Sequence, residues 1–119
     1  MNLKTEFKKV TNYFSPRIVG EVNDQYVKIA KIKGQDIPWH NHKNEDELFY
    51  IVEGKLLMET ENKPDMIMTT GDLFVVPRGV NHRVSSNEDC LIMLIETKTT
   101  KHTGEVESSI TKSIDNQTY

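Results

Sequence analysis

The sequence predicts an all-β chain folded as a single antiparallel sandwich or barrel. Short apolar segments recur along it, cut by Gly, Pro, Asn and Asp at close intervals. Side-chain character alternates with a period of two inside several of them. No helical pattern of about 10–15 residues alternates with them, which argues against a parallel α/β sheet. A length of 119 residues suits one domain with one core.

Leu3, Phe7, Val10 and Phe14 share one helical face, so residues 3–14 are expected to form a short amphipathic helix that Ser15-Pro16 ends. Strands follow at Arg17–Val22, Tyr26–Lys33, Glu47–Glu53, Lys55–Glu61, Asp65–Thr70, Leu73–Val76, His82–Ser86 and Cys90–Thr97. The turns between them include Asn23-Asp24, Gly34, Gly54, Asn62-Lys63-Pro64-Asp65, Gly71-Asp72, Pro77-Arg78-Gly79 and Asn87-Glu88-Asp89. The organisation is thus a helical packing segment (1–16), a barrel (17–97) and an irregular, surface-hugging C-terminal extension (98–119).

Two strands are apolar on both faces. Phe49 and Ile51 share a side with Glu47, while Leu48, Tyr50 and Val52 face the other way; Leu91, Met93 and Ile95 oppose Ile92 and Leu94. One face lines the interior, and the N-terminal segment or a second copy must cover the other. A hydrophobic share of 36% fits a homodimer.

Composition narrows the function classes. Lys and Arg total 15 against 18 Asp and Glu, with the signs interspersed, so no basic run tracks phosphates and nucleic-acid binding is not expected. The longest apolar stretch is Leu91–Ile95, too short to span a membrane. Met1 to Val10 carries charges throughout and shows no signal peptide. A single cysteine, Cys90, lies in an apolar run and reads as a buried thiol, so a cytoplasmic setting is the default expectation.

The residues that carry chemistry begin at Trp39-His40-Asn41-His42. Two His at i and i+2 on a strand or strand edge face the same way, and their imidazoles can converge on one ion. Lys43 to Asp46 reads as a polar turn that returns Glu47 to the same point, and His82, after Pro77-Arg78-Gly79, can lie opposite. Taken singly, each has a blander reading: Glu45, Asp46 or Glu47 as solvated turn charges, His82 as a surface or satisfied core residue.

The spacing of the whole set resembles the cupin family. Gly34, five residues, His40, one, His42, four, Glu47, six, Gly54 match the first cupin motif at every position. Gly71, five residues, Pro77, one, Gly79, two, His82 match most of the second, sixteen residues further on. Ser86 stands where the second motif usually has Asn, which bears on the local turn. The resemblance covers residues 34–86 and extends to small stand-alone cupins that often bear names borrowed from mannose-6-phosphate isomerase. It implies a jelly-roll β-barrel whose metal is held by His40, His42, Glu47 and His82.

Three imidazoles and a carboxylate suit Mn, Fe(II), Ni, Cu or Zn and leave positions for a small chelating molecule. Parity places Phe49, Ile51 and Val84 beside the metal, with Met58 on a neighbouring strand and Arg78 at the rim as an anion contact or a solvated charge. Trp39 and Arg83 should point away, and His102 is not expected to be a ligand. Two functions fit. One is a metal-dependent enzyme of dioxygenase, isomerase or decarboxylase type, with Glu47 as ligand and, if displaced, base. The other is a non-catalytic ligand- or metal-binding module, without the helix-turn-helix segment of cupin transcription factors.

Overall fold

The computed structural model describes residues 1–100 of the chain. Most of the extension expected at 98–119, and His102 with it, lies outside the described residues. Helix α1 (Leu3–Phe7) is followed by strands β1 (Arg17–Val22), β2 (Gln25–Gly34), β3 (Glu47–Glu53), β4 (Lys55–Thr60), β5 (Met66–Thr69), β6 (Leu73–Val76) and β7 (His82–Thr97). All strand pairs are antiparallel, in the order β1-β2-β7-β3-β6, with β4 pairing both β7 and β5. A jelly-roll barrel describes this arrangement, although no strand pairing among the described residues closes it. No helix among the described residues is long and apolar enough to cross a membrane.

Two expectations are corrected. The helix stops at Phe7 instead of running to residue 14. Its last turn tightens through Lys9 N–H to Glu6 O and Val10 N–H to Phe7 O, both at 3.0 Å, and Tyr13 then bridges Lys31 of β2. A sheet hydrogen bond, Phe14 N–H to Lys31 O at 2.8 Å, replaces the helical one, and Phe14 adopts φ +53°. Leu3, Phe7 and Val10 keep their common face and pack on Val19, Ile29 and Leu91, so the N-terminal segment covers part of the outer sheet.

The second correction concerns Asn87-Glu88-Asp89, which is no turn but part of the continuous sixteen-residue strand β7. Residues 82–85 pair with β4, whereas Ser86 and residues 90–97 pair with β2 and 91–96 with β3. The three polar residues are exposed where the strand passes from one sheet to the other. Ser86 Oγ, 2.7 Å from Lys55 O and 2.6 Å from Glu88 O, fastens this crossing. Gly54 packs so closely there that a Cβ would lie 2.8 Å from Asp89 O.

Strand parity holds along β3 and β7. Glu47, Phe49 and Ile51 are buried, as are Cys90, Ile92, Leu94 and Glu96. With Phe14, Leu56, Met58, Met68, Val76 and Val84, the apolar members form the main core.

Candidate metal centre

His40 and His42 sit in the loop between β2 and β3, not on a regular strand. The loop is tied to the turn before β7 by backbone and side chain alike. His40 and His82 form an isolated antiparallel bridge, with N–H···O distances of 3.1 and 2.9 Å. Gly79 N–H donates to His42 O at 2.9 Å, and Asn41 Nδ2 donates to Asn81 Oδ1 at 2.8 Å. Arg78 N–H donates to Asp46 Oδ1 at 2.8 Å, which spends Asp46 on the turn and leaves Glu47 to enter β3 facing inward. Gly79, at φ +78°, gives the turn a conformation that L side chains rarely adopt.

These ties bring His40, His42, Glu47 and His82 together, all buried, with one donor atom from each lying within 4.8 Å of the others. Donors bound at about 2.1 Å lie up to roughly 4.2 Å apart, so small side-chain rotations suffice to close on an ion. His40 Nδ1 donates to Pro38 O at 2.8 Å, and His82 Nδ1 donates to Val80 O at 3.0 Å. Each bond holds the proton on Nδ1 and turns the Nε2 lone pair inward, the tautomer a metal requires. His82 Nε2 is buried without a hydrogen-bond partner, 3.5 Å from Glu47 Oε1, while His42 Nε2 lies 3.5 Å from Glu47 Oε2. An orphaned ring nitrogen aimed at a carboxylate and two further imidazoles fits a transition metal.

Electrostatics agree with a neutral His40. Burial, assisted by His82, lowers the pKa of His40 to about 4. Burial would raise the pKa of Glu47, but hydrogen bonding with Glu96 leads the effects that outweigh it and hold the carboxyl well below its usual range.

Sequence reasoning missed the residues behind Glu47. Glu96 is directly opposite it in the β3–β7 register, and Lys28 Nζ lies 2.6 Å from Glu96 Oε1 with both side chains almost wholly enclosed. Burial and the Glu47 charge push Glu96 well above the usual carboxylate range, so this pair keeps its proton on Glu96. The signal was available in parity: Glu96 continues the inward series of Ile92 and Leu94.

Phe49 and Val84 line a cavity of about 40 Å³ that His40, Glu47 and His82 also border. Ile51 and Met58 are fully buried in the adjoining core but do not border it. Arg78 stays at the rim, its side chain 68% exposed and 3.7 Å from Asp46. Arg83 turns outward, stacks on Trp39 at 4.7 Å and forms two hydrogen bonds to Glu59, at 3.0 and 3.2 Å.

The family model for the cupin domain matches residues 30–96. The uncharacterised protein YdbB of Bacillus subtilis is 34% identical over 80 residues, spanning 67% of this chain and 70% of that protein. A cupin-2 domain-containing protein from Shewanella frigidimarina has a similar structure, with a TM-score of 0.78 and 33% identity over 82% of this chain and 94% of that one. A Neisseria meningitidis protein matches with a TM-score of 0.74 and 28% identity, covering 82% of this chain and 98% of its own. Fold, motif spacing and sequence relatives agree, and the chain belongs to the cupin family.

Proposed function

We propose that this cupin binds one divalent transition metal through His40, His42, Glu47 and His82, and that the metal acts on a small chelating molecule. One observation carries the reading: two imidazoles, each fixed by a carbonyl on Nδ1, present Nε2 beside a buried carboxylate and a third imidazole. When bound, the metal would supply Lewis acidity for a substrate that offers it oxygen atoms. The chain supplies imidazole ring nitrogens, a carboxylate held ionised, and apolar walls of Phe49 and Val84 that exclude water. Elemental analysis of the purified protein, followed by a screen of small chelating acids and sugars with that metal, tests this. Product formation supports an enzyme, and a metal-free protein that binds none of Mn, Fe, Ni, Cu or Zn overturns the site.

A non-catalytic binding module is the second reading. It is favoured by the cavity's lining, which among the described residues offers apolar side chains beyond His40, Glu47 and His82 and so no further acid or base. Melting shifts on ligand addition without product would select it. The homodimer stays a proposal too, in a cytoplasm where Cys90 remains a thiol. It is supported by Leu73 and Val75, 57% and 42% exposed on the outward side of β6, beside Leu48 and Tyr50 of β3. A compact monomer in sedimentation at tens of micromolar counts against it.

A further inference from the structure

We infer that Phe14 is the specificity-determining residue of the candidate metal centre: its ring closes the cavity beside His40, Glu47 and His82 against all but the smallest oxygen- or nitrogen-donor ligands. The inference rests on the metal reading above and adds to it a ceiling on ligand size.

Most walls of the cavity belong to the sheets. Ala30 and Ile32 come from β2, Phe49 from β3, and Ile92 and Leu94 from β7. Phe14 and Pro16 come instead from the segment between α1 and β1, which lies outside every strand. Phe14 is only 3% exposed and joins the main core, whereas Phe7 and Val10, from the same predicted helical face, pack on the outside of the sheet. The chain therefore passes from the outer surface to the inner cavity within four residues, between Val10 and Phe14.

That passage has a backbone cost. Phe14 holds φ +53°, a region which bulky L side chains rarely occupy and which persists only where surroundings impose it. Two latches do so. Phe14 N–H donates to Lys31 O at 2.8 Å, and the exposed Tyr13 hydroxyl donates to Asp89 Oδ1 at 2.7 Å across to β7. Lys31, Tyr13 and Asp89, which make these latches with the segment, do not line the cavity, so the ring's position is set from outside the site.

The volume then decides what fits. About 40 Å³ has room for roughly three water-sized atoms. A triatomic anion or dioxygen fits that volume beside a metal held by the four side chains, and an aryl carboxylate does not. Replacing the Phe14 ring by a methyl group opens the cavity on the side of the inter-element segment and leaves the four metal-binding residues untouched.

The test compares wild-type protein with Phe14→Ala, each loaded with Co(II), using azide and benzoate as probes. Binding is read from the visible spectrum of the cobalt and by calorimetry. Wild type should bind azide and show no benzoate binding. Phe14→Ala should keep its azide affinity within a factor of two and gain benzoate affinity by at least tenfold. Phe14→Leu, which retains an apolar group in the core, should gain less and serves if the alanine variant does not fold. Tyr13→Phe removes the outer latch and should speed ligand exchange without changing the azide affinity. Equal benzoate binding by wild type and variants overturns the gate alone. Failure of every protein to take up Co(II) overturns the metal reading and the gate with it.

Discussion

Glu96 stands opposite Glu47 across β3 and β7, and Lys28 Nζ lies 2.6 Å from its Oε1, so a buried Lys28–Glu96 contact backs the carboxylate of the candidate metal centre. Removing one member of such a buried polar contact leaves the other's desolvation uncompensated and costs more than replacing both by apolar groups. Lys28→Ala should therefore lower unfolding free energy by about 1–3 kcal/mol in urea titrations. The double variant Lys28→Met/Glu96→Leu should recover most of that stability. It should still bind metal about 10–100-fold more weakly, because Glu47 has lost the group that orients it. Unchanged metal affinity in the double variant would reduce the pair to a structural role.

His82→Ala removes an inward-facing nitrogen and the ring that Phe49 meets edge-on at 6.0 Å. His82→Ala and His40→Ala should each weaken metal binding by more than the roughly 10–100-fold typical of losing an outer partner. Metal-to-protein ratios from elemental analysis after dialysis give the answer, and an unchanged ratio in either variant removes that residue from the ligand set.

Acid should destabilise the metal-free protein early. The pKa of His40 falls from 6.5 unfolded to about 4 folded, so the folded state binds fewer protons between those values. The stability this represents is complete above pH 6.5 and is lost as pH falls toward 4. Its upper bound is about 3 kcal/mol. Glu47, held low, adds loss only below its usual range, while Glu96, held high, works in the opposite sense. Melting temperatures at pH 7 and pH 5 should differ by less in His40→Gln than in the parent.

Cys90 is fully enclosed, and burial pushes its thiol up to about 11. An aromatic disulfide reagent at pH 8 should leave the native protein unmodified and titrate one thiol once urea unfolds it. Rapid reaction in native buffer would contradict the packing around β7.

Gly54 combines φ +105° with a backbone carbonyl 2.8 Å from where a Cβ would stand. Gly54→Ala should cost about 2–3 kcal/mol, through strain and the shift forced on β7. A urea midpoint equal to that of the parent would show that the crossing gives way easily.

Most strands were legible because period-two alternation and glycine-bounded turns are local signals. Glu47, Phe49 and Ile51 could be placed on one face from spacing alone, and the two histidine segments could be matched to a family pattern. Long-range pairing was harder to read. The helical spacing of Leu3, Phe7, Val10 and Phe14 is real up to Val10, but the bridge to Lys31 diverts Phe14 into the core. Asn87-Glu88-Asp89 has turn composition, yet neighbours on two sheets keep it extended. Lys28 escaped notice because a lone lysine in a strand is ordinarily solvated, and only the partner strand reveals Glu96 beside it.

Strand β7 carries His82 at its start and Glu96 near its end, and it pairs with β2, β3 and β4. The donor set therefore cannot be assembled before β7 has been made. A ribosome-bound fragment ending before His82 already contains His40, His42 and Glu47, but lacks the strand that draws them together. On the proposed metal reading, affinity arrives only after β7 has left the exit tunnel, and uptake of the ion would report that both sheets have docked.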